Sequence, residues 1–317
     1  MKYMIGVDMG TTSTKAVLYD ENGKFIMKHN IGYDLHTPNV DVSEENPDEI
    51  FDAVLMTVKY IVRESGIAKE DIKFISLSAQ MHSLIVMNEN NQRLTENITW
   101  ADNRANDYAD LIEKSYGGFE LYQRTGIPIH PMSPLSKIFW MRHEEPKIFK
   151  QTAMFADLKT YVLFQLYERF VIDYSLGSAT GMMNLEQLDW DNKALELLGI
   201  ERNQLPQLVP TTHVLTGMKK RYATLMGIDE QTPVIVGASD GVLSNLGVNS
   251  YQKGEVAVTI GTSGAIRTVI NQPKTDEKGR TFCYILDKDQ YVIGGPVNNG
   301  GVVLLSLIHI SEPTRPY

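Results

Sequence analysis

The sequence contains a single cysteine, Cys283, among its 317 residues. One cysteine cannot form an intrachain disulfide or a cysteine-cluster zinc site, so both are excluded. No apolar run approaches the roughly 18 residues that a membrane-spanning helix needs. The chain also begins with a strand pattern rather than a signal-peptide pattern. We therefore expect a cytoplasmic protein that does not interact with a membrane.

Basic residues are in the minority. The 30 lysines and arginines against 39 acidic residues give a formal net charge of −9, which argues against nucleic acid as a partner. A phosphorylated ligand remains compatible with this charge, because metal ions and backbone dipoles neutralise phosphate locally. The length allows two domains.

Two distant segments have nearly the same pattern: IGVDMGTTSTKAVLYD at 5–20 and VAVTIGTSGAIRTVI at 256–270. Each predicts a hairpin whose turn presents backbone N–H groups and hydroxyls to a phosphate chain. An ordinary turn is the alternative for either copy alone. Two copies favour a nucleotide held between two related half-domains, hence phosphoryl transfer without a P-loop. The candidate phosphate-binding residues are Gly10, Thr11, Thr12, Ser13 and Lys15 in the first copy and Gly261, Thr262 and Ser263 in the second.

Two aspartates are candidates for the acidic groups of a phosphoryl-transfer site. Asp8 precedes the first turn by two residues, where a carboxylate suits a magnesium ion and its waters; a turn-capping role is the alternative. Asp240 comes after the apolar strand pattern at 233–238, where α/β sheets bind ligands, and it could take the proton of an acceptor hydroxyl. The local sequence is equally compatible with a second role, in which Asp240 is the N-cap of a helix through 242–246.

Polar residues beside an aromatic suggest a site for a polyhydroxylated acceptor. Three groups of polar residues are candidates for this site. A lone histidine such as His82 is more often structural, and Asp102 could instead cap a helix. The candidate substrate-side residues are Gln80, Met81, His82, Trp100, Asp102, Arg104 and Asp173.

The remaining pattern predicts a mixed α/β fold in which three antiparallel strands, a helix and a further strand recur in two halves. Asn46 and Pro47 mark the start of the first long helix. Further helices are expected at about 103–115, 133–143 and 156–168. Strands are expected at 3–8, 14–20, 24–31, 72–78, 170–173, 233–238, 256–260, 265–270, 281–286 and 290–294.

Six motifs in this order resemble the FGGY carbohydrate kinases of the actin/hexokinase-like ATPase superfamily, which have ribonuclease-H-like domains. They are GVDMGTTSTK at 6–15, SAQMHSL at 78–84, ITWADNR at 98–104, DYSLGSATGMMNL at 173–185, GASDGVLSNLG at 237–247 and VTIGTSGAIR at 258–267. The resemblance implies that ATP and Mg²⁺ are used. It matches Asp240 to the catalytic base, Asp8 to the metal-associated acid, and the two Gly-Thr turns to the phosphate motifs.

Within the family, ITWADNRA, IPIHPMSPLSKI, GASDGVLSNLGVN and GGPVNNGG are most similar to bacterial gluconokinases. This implies conversion of D-gluconate to 6-phospho-D-gluconate, with a homodimer left open for the full-length protein. A xylulokinase-type activity is the alternative. A non-catalytic sugar or ATP sensor of the same fold is an alternative of another class. Glycerol kinases carry Arg-Glu where this chain has Met81-His82.

The last residues do not match the family. From Leu305, LSLIHISEPTR resembles the translation of a sequencing-library adapter; a genuine short strand with a Pro-containing tail is the alternative. We therefore predict an N-terminal domain at 1–250, the start of a truncated C-terminal domain at 251–304 and an artefactual tail at 305–317. Because an adenosine site is missing from this sequence, we expect little kinase activity from the chain itself.

Overall fold

The structure of the chain is a computed structural model that describes residues 1–252, 254–260 and 264–297. The second turn motif, at Gly261, Thr262 and Ser263, and the predicted tail at 305–317 lie outside the described residues. Among the described residues, no helix is both long enough and apolar enough to cross a lipid bilayer.

The described chain contains both strands and helices. The strands are β1 (Tyr3–Met9), β2 (Ser13–Asp20), β3 (Phe25–Gly32), β4 (Glu44–Glu45), β5 (Ile72–Ala79), β6 (Ile85–Met87), β7 (Asn97–Ile98), β8 (Met154–Ala156), β9 (Val171–Asp173), β10 (Met183–Asn184), β11 (Asp189–Trp190), β12 (Gln207–Val209), β13 (Val214–Leu215), β14 (Val234–Ser239), β15 (Val256–Ile260), β16 (Gly264–Ile270), β17 (Phe282–Asp287) and β18 (Gln290–Val297). The helices are α1 (Pro47–Ser65), α2 (Asn106–Ser115), α3 (Gly118–Thr125), α4 (Pro134–Glu144), α5 (Pro146–Gln151), α6 (Leu158–Tyr167), α7 (Tyr174–Ala179), α8 (Asn192–Leu198), α9 (Lys220–Met226) and α10 (Asp240–Gly247).

A six-stranded sheet forms the centre of the part of the chain before β15, which is called the first half below. Its strand order is β13-β14-β5-β1-β2-β3. The opening strands β1, β2 and β3 are an antiparallel meander, as predicted. Strand β5 runs parallel to β1, and β14 runs parallel to β5. The carboxyl ends of these three parallel strands therefore meet at one edge of the sheet, where α/β proteins bind ligands.

Helix α1 covers one face of the central sheet. The Asn46 side chain accepts a hydrogen bond from the backbone N–H of Asp48, and Pro47 occupies the first turn, so the predicted helix start is confirmed. The helix buries an apolar face in the same core as alternate residues of β1. Since side chains alternate along a strand, Asp8 lies on the opposite face of the sheet.

The second sheet has the order β15-β16-β18-β17, with all neighbours antiparallel. The predicted hairpin at 256–270 is confirmed, since Ile260 pairs with Gly264 around the turn. The expected copy of the first meander is wrong at the third strand, because β18 lies beside β16 and β17 lies at the edge. All but the last residue of β17 are buried, and an edge strand this apolar requires cover from outside its sheet.

That cover comes from the first half of the chain. The backbone N–H of Ile285 donates to Ser178 Oγ in α7 at 3.0 Å. The N–H of Cys283 donates to the carbonyl of Gly126 at 2.9 Å. Tyr122 Oη donates to the carbonyl of Thr281 at 2.8 Å. These bonds hold β17 and the residue before it against α7 and the end of α3.

The helix predicted at 103–115 begins later, at Asn106. Asp102 is therefore not its N-cap. The Asp102 carboxylate accepts hydrogen bonds from the Ser43 N–H and from Arg104, so the residues that precede the helix form a separate folded turn.

A glycine inside β14 accompanies a shift in the pairing of that strand with β5. Gly237 has φ +71°, and the β14–β5 register shifts around it, between Ile235 and Ala238. A Cβ atom at Gly237 would overlap the carbonyl oxygen of Leu77 and lie 2.9 Å from the Leu77 carbonyl carbon. Only glycine combines this conformation with so close a backbone approach.

We expect Gly237→Ala to destabilise the protein more than Gly217→Ala. Gly217 has φ +77°, but no atom lies within 4 Å of an added Cβ. Alanine at 217 is therefore destabilising only through its left-handed backbone conformation, which costs about 1 kcal/mol. At Gly237 the overlap with Leu77 adds about 2 kcal/mol or more. The free energy of unfolding in urea, followed by circular dichroism, measures both. Equal losses in the two variants would contradict a packing constraint at Gly237.

Candidate active site

Neighbouring parallel strands bring Asp8 and Asp240 to one edge of the central sheet. Asp8 lies beside Ser78, and Ser78 lies beside Ala238, two residues before Asp240. The Ser78 hydroxyl donates to Asp8 Oδ1 at 2.7 Å, which orients that carboxylate. The two predicted acids therefore belong to a single site.

Asp240 is the first residue of α10, and Ser239 is the N-cap whose hydroxyl accepts from Val242 N–H at 3.4 Å. The alternative that Asp240 is itself the N-cap is therefore wrong. Its carboxylate accepts only the Gly241 N–H among the described residues, at 2.7 Å, and the residue keeps access to solvent. It lies at the carboxyl edge of the central sheet, and the surface around Asp8 and Asp240 at this edge is called the cleft below.

The surroundings raise the pKa of Asp240. Desolvation by the protein atoms around the carboxylate is the largest cause, and together with the negative charge of Asp8 it raises the pKa of Asp240 to about 6. The Gly241 N–H, Arg267 and Lys159 act in the opposite direction. A carboxylate with this pKa accepts a proton more readily than an ordinary aspartate and is still mostly ionised at pH 7.

The first Gly-Thr turn uses some of its polar groups internally. The Gly10 N–H donates to the Ser13 carbonyl at 3.1 Å, and the Tyr33 N–H donates to the Thr12 carbonyl at 3.2 Å. Gly10 thus closes the turn, so it does not offer the free N–H that the motif predicted. Lys15 is exposed and lies directly across the hairpin from Asp8, on the same face of the sheet.

A chain of hydrogen bonds joins this turn to the substrate-side residues. Trp100 Nε1 donates to Thr11 Oγ1 at 3.0 Å, and the Thr11 hydroxyl donates to Gln80 Oε1 at 3.1 Å. Gln80 Nε2 donates to Glu45 Oε2 at 2.7 Å. The predicted Thr11, Gln80 and Trp100 are therefore in direct contact.

Glu45 ends this chain and was not identified from the sequence. It is 1% exposed, and it also accepts a hydrogen bond from Asn97 Nδ2 at 2.7 Å. Burial raises its pKa to about 7. Above about pH 7 the Glu45 carboxylate is ionised and only accepts hydrogen bonds, so the Gln80 amide nitrogen points inward and its oxygen points towards Thr11.

Lys137 is a second residue that the sequence reasoning missed. Its buried ammonium donates to the carbonyls of His82 at 2.6 Å, Thr99 at 2.6 Å and Ile98 at 3.3 Å. Burial lowers its pKa to about 7. Lys137 thus holds the segment after β5 against the segment after β7. A lysine between apolar residues in PLSKIFW was the signal that could have revealed it.

His82 connects the two sheets. Its Nδ1 is 2.9 Å from the carbonyl of Ala179 and its Nε2 is 3.2 Å from Tyr284 Oη in β17. Burial and the nearby Lys137 lower its pKa to about 3, so the ring is neutral. Both ring nitrogens are occupied, which corresponds to the structural alternative for His82. Met81, its neighbour, lies against the start of α10, 2.6 Å from where a Cβ of Gly241 would be.

Arg104 and Asp102 bind each other. The Arg104 Nε lies 3.0 Å from Asp102 Oδ2, its guanidinium is ion-paired with Glu44, and it stacks over Trp140 at 4.9 Å from the ring centroid. Two carboxylates therefore balance the charge of Arg104. The exposed Trp100 is the member of this predicted cluster that reaches the phosphate turn.

Asp173 does not reach the cleft. It is 0% exposed, caps α7 by accepting the N–H groups of Ser175 and Leu176, and forms an ion pair with Lys159 at 2.7 Å. Its predicted contact with substrate is therefore corrected to a structural role, because a carboxylate buried and bonded in this way is not accessible to a ligand.

The residues present fit a magnesium ion bound mainly through phosphate. Asp8 uses one carboxylate oxygen for Ser78, and no group of three or more His, Cys, Asp or Glu side chains suited to a metal occurs in the described part of the chain. Magnesium commonly needs only one or two carboxylates, completed by waters and substrate phosphates.

We expect Glu45→Gln to change the hydrogen bond at Trp100 without unfolding the protein. A glutamine at 45 can donate to Gln80, which lets the Gln80 amide rotate and removes the acceptor that orients the Thr11 hydroxyl. The indole N–H resonance of Trp100, in ¹⁵N-labelled protein at pH 8, should shift relative to wild type.

Asp157→Asn is the matched control, since Asp157 is another buried carboxylate but caps α6 instead. Its Trp100 resonance should stay in place. An unshifted Trp100 resonance in Glu45→Gln would show that Glu45 does not orient this chain.

Three comparisons bear on the family. Residues 3–247 match the N-terminal domain of the FGGY family of carbohydrate kinases. The gluconokinase of Bacillus subtilis is 55% identical over 302 residues, which cover 95% of this chain and 58% of that protein. This chain thus spans less than two thirds of the length of that relative.

Solved structures show the same fold. A gluconate kinase from Lactobacillus acidophilus superposes with a TM-score of 0.93 at 41% identity, covering 96% of this chain and 61% of that one. A ligand-bound xylulose kinase from the same organism gives the same TM-score and identity, with 96% and 62% covered. The fold is the actin/hexokinase-like ATPase fold that the motifs predicted. The chain therefore belongs to the FGGY family of carbohydrate kinases, of which residues 3–247 are the N-terminal domain.

Proposed function

We propose that this chain carries the acceptor site and the base of an ATP-dependent kinase that converts D-gluconate to 6-phospho-D-gluconate. The observation that supports phosphoryl transfer is the solvent-accessible Asp240 carboxylate, which lies at the carboxyl edge of the central sheet beside Asp8 and has a pKa raised to about 6. The 55% identity to a gluconokinase supports gluconate as the acceptor.

In this proposal, Asp240 takes the proton of the acceptor hydroxyl as the hydroxyl oxygen attacks the γ-phosphorus of ATP in line. The bond between the γ-phosphorus and the β–γ bridging oxygen breaks, and ADP leaves. The turn at Thr11 and Thr12 and the side chain of Lys15 would bind phosphate oxygens, and Asp8 would hold a magnesium ion through its carboxylate. The ion supplies charge that stabilises the transferred phosphoryl group. Gln80, Met81 and Trp100 border the acceptor.

A ketopentose is the second candidate acceptor. The Lactobacillus acidophilus structure named as a xylulose kinase matches this chain as well as the one named as a gluconate kinase. Since ATP is the phosphoryl donor, we also propose a cytoplasmic location. A homodimer remains a proposal for the longer protein.

The acceptor is tested by offering gluconate, xylulose, ribulose and glycerol. Calorimetry on the 317-residue chain measures binding, and a coupled assay on the longest natural chain that contains it measures turnover, with Bacillus subtilis gluconokinase as positive control. We expect gluconate to give the highest kcat/KM. A clear preference for xylulose would overturn gluconate as the acceptor.

Asp240→Asn should lower turnover by at least about 100-fold, because an amide cannot accept the proton. Gluconate affinity should change little. In the wild-type protein, kcat/KM should fall as the pH falls through about 6, where Asp240 becomes protonated. That acidic limb should be absent from the residual activity of the variant.

Asp229→Asn provides the control, because Asp229 is an exposed aspartate that likewise accepts a local backbone N–H, from Gln231. It should retain wild-type turnover and pH profile. Retained turnover in Asp240→Asn would remove Asp240 as the base.

A further inference from the structure

Arg267 is a cation at the cleft that the proposed mechanism does not use. It lies in β16, between Ala265 and Val269, whose side chains are buried on the face packed against the first half. Alternation along the strand places Arg267 on this face as well. Its Nη2 is 3.5 Å from where a Cβ of Gly241 would be, so it borders the first turn of α10.

The guanidinium of Arg267 is largely uncommitted. Its Nε is buried without a hydrogen-bond partner in the described part of the chain, and Nη1 makes one long bond of 3.4 Å to Thr259 Oγ1. It has no carboxylate within ion-pair distance among the described residues, Asp240 included. Burying part of an arginine this way is unfavourable unless an anion completes the site.

Among the described residues, three other cations near the cleft already have partners, and a fourth, Lys15, lies at the first phosphate turn. Arg104 is ion-paired with Glu44 and Asp102, and Lys159 with Asp173. The buried ammonium of Lys137 is occupied by three carbonyl groups. Lys15 is exposed beside the first phosphate turn. In the described part of the chain, Arg267 is therefore the cation that borders the start of α10 without an ion pair.

The position of Arg267 favours the acceptor over the nucleotide. It lies three residues beyond Gly264, about 10 Å along the strand from the second turn. Arg267 lies near Met81, the start of α10 and Tyr284, and the hydroxyl of Tyr284 also contacts His82. Its positive charge is felt at both Asp240 and Tyr284.

We propose that Arg267 binds the carboxylate of a sugar acid and thereby makes this site prefer gluconate to neutral sugars. A guanidinium recognises a carboxylate through two parallel N–H···O bonds, which a neutral polyol cannot replace. This inference rests on the proposed gluconokinase function and adds the residue that distinguishes gluconate from xylulose.

The test compares D-gluconate with D-glucitol, its neutral six-carbon analogue, by calorimetry on the 317-residue chain. Arg267→Met should weaken gluconate binding about 10- to 100-fold, as expected for charge-assisted hydrogen bonds, and leave D-glucitol binding within about twofold. Arg267→Lys should retain part of the gluconate affinity. Thermal unfolding of each variant establishes that it is folded.

Arg280→Met is the matched control. Arg280 is an exposed arginine in the connection that follows β16 and is ion-paired with Asp276, so the same charge is removed away from the cleft. Gluconate affinity should be unchanged.

Two results would overturn the inference while leaving the proposed function intact. One is unchanged gluconate affinity in Arg267→Met. The other is an equal loss for gluconate and D-glucitol, which indicates a general packing role. If the wild-type chain binds xylulose but not gluconate, the proposed function fails and the inference fails with it.

Discussion

A buried ion pair beneath the cleft holds the elements that form the site. Lys159 Nζ is 2.7 Å from Asp173 Oδ2, with the two side chains 1% and 0% exposed, and it also donates to the carbonyl of Ala238 at 3.2 Å. Neither charge is tolerated alone in this interior, since an unpaired buried ion costs several kcal/mol. Helix α6, the start of α7 and the end of β14 must therefore assemble together, and Asp240 follows directly.

The charges of the site divide into two groups by their partners. Residues whose charges are matched by neighbours, such as Lys159 and Arg104, hold the surrounding elements in place. Asp8, Lys15, Asp240 and Arg267 have no ion pair among the described residues, and these are the residues that we propose to contact a ligand. Perturbed and unmatched charges in a cleft are typical of functional sites.

Much of the framework could be predicted from local pattern. Strand alternation, the Asn46-Pro47 helix start and the repeated Gly-Thr turns are short-range signals, and the structure confirms the elements they predicted within the described residues. Burial and partner identity are long-range properties. Asp173 and His82 lie at strand ends, as Asp240 and Gln80 do. Asp173 is nevertheless a buried counter-ion of Lys159, and His82 is a neutral side chain that contacts Tyr284 in β17.

The sequence by itself determined the family, the fold class and the strand-end positions of Asp8 and Asp240, because these depend on residue order and spacing. The tertiary structure decided which polar groups remain available. Residues far apart in the chain, such as Glu45 with Gln80 and Lys137 with His82, meet only when the sheets and helices pack. These long-range contacts set the desolvation and the hydrogen bonding of each polar group, and therefore its pKa and the polar atoms that it keeps without a partner.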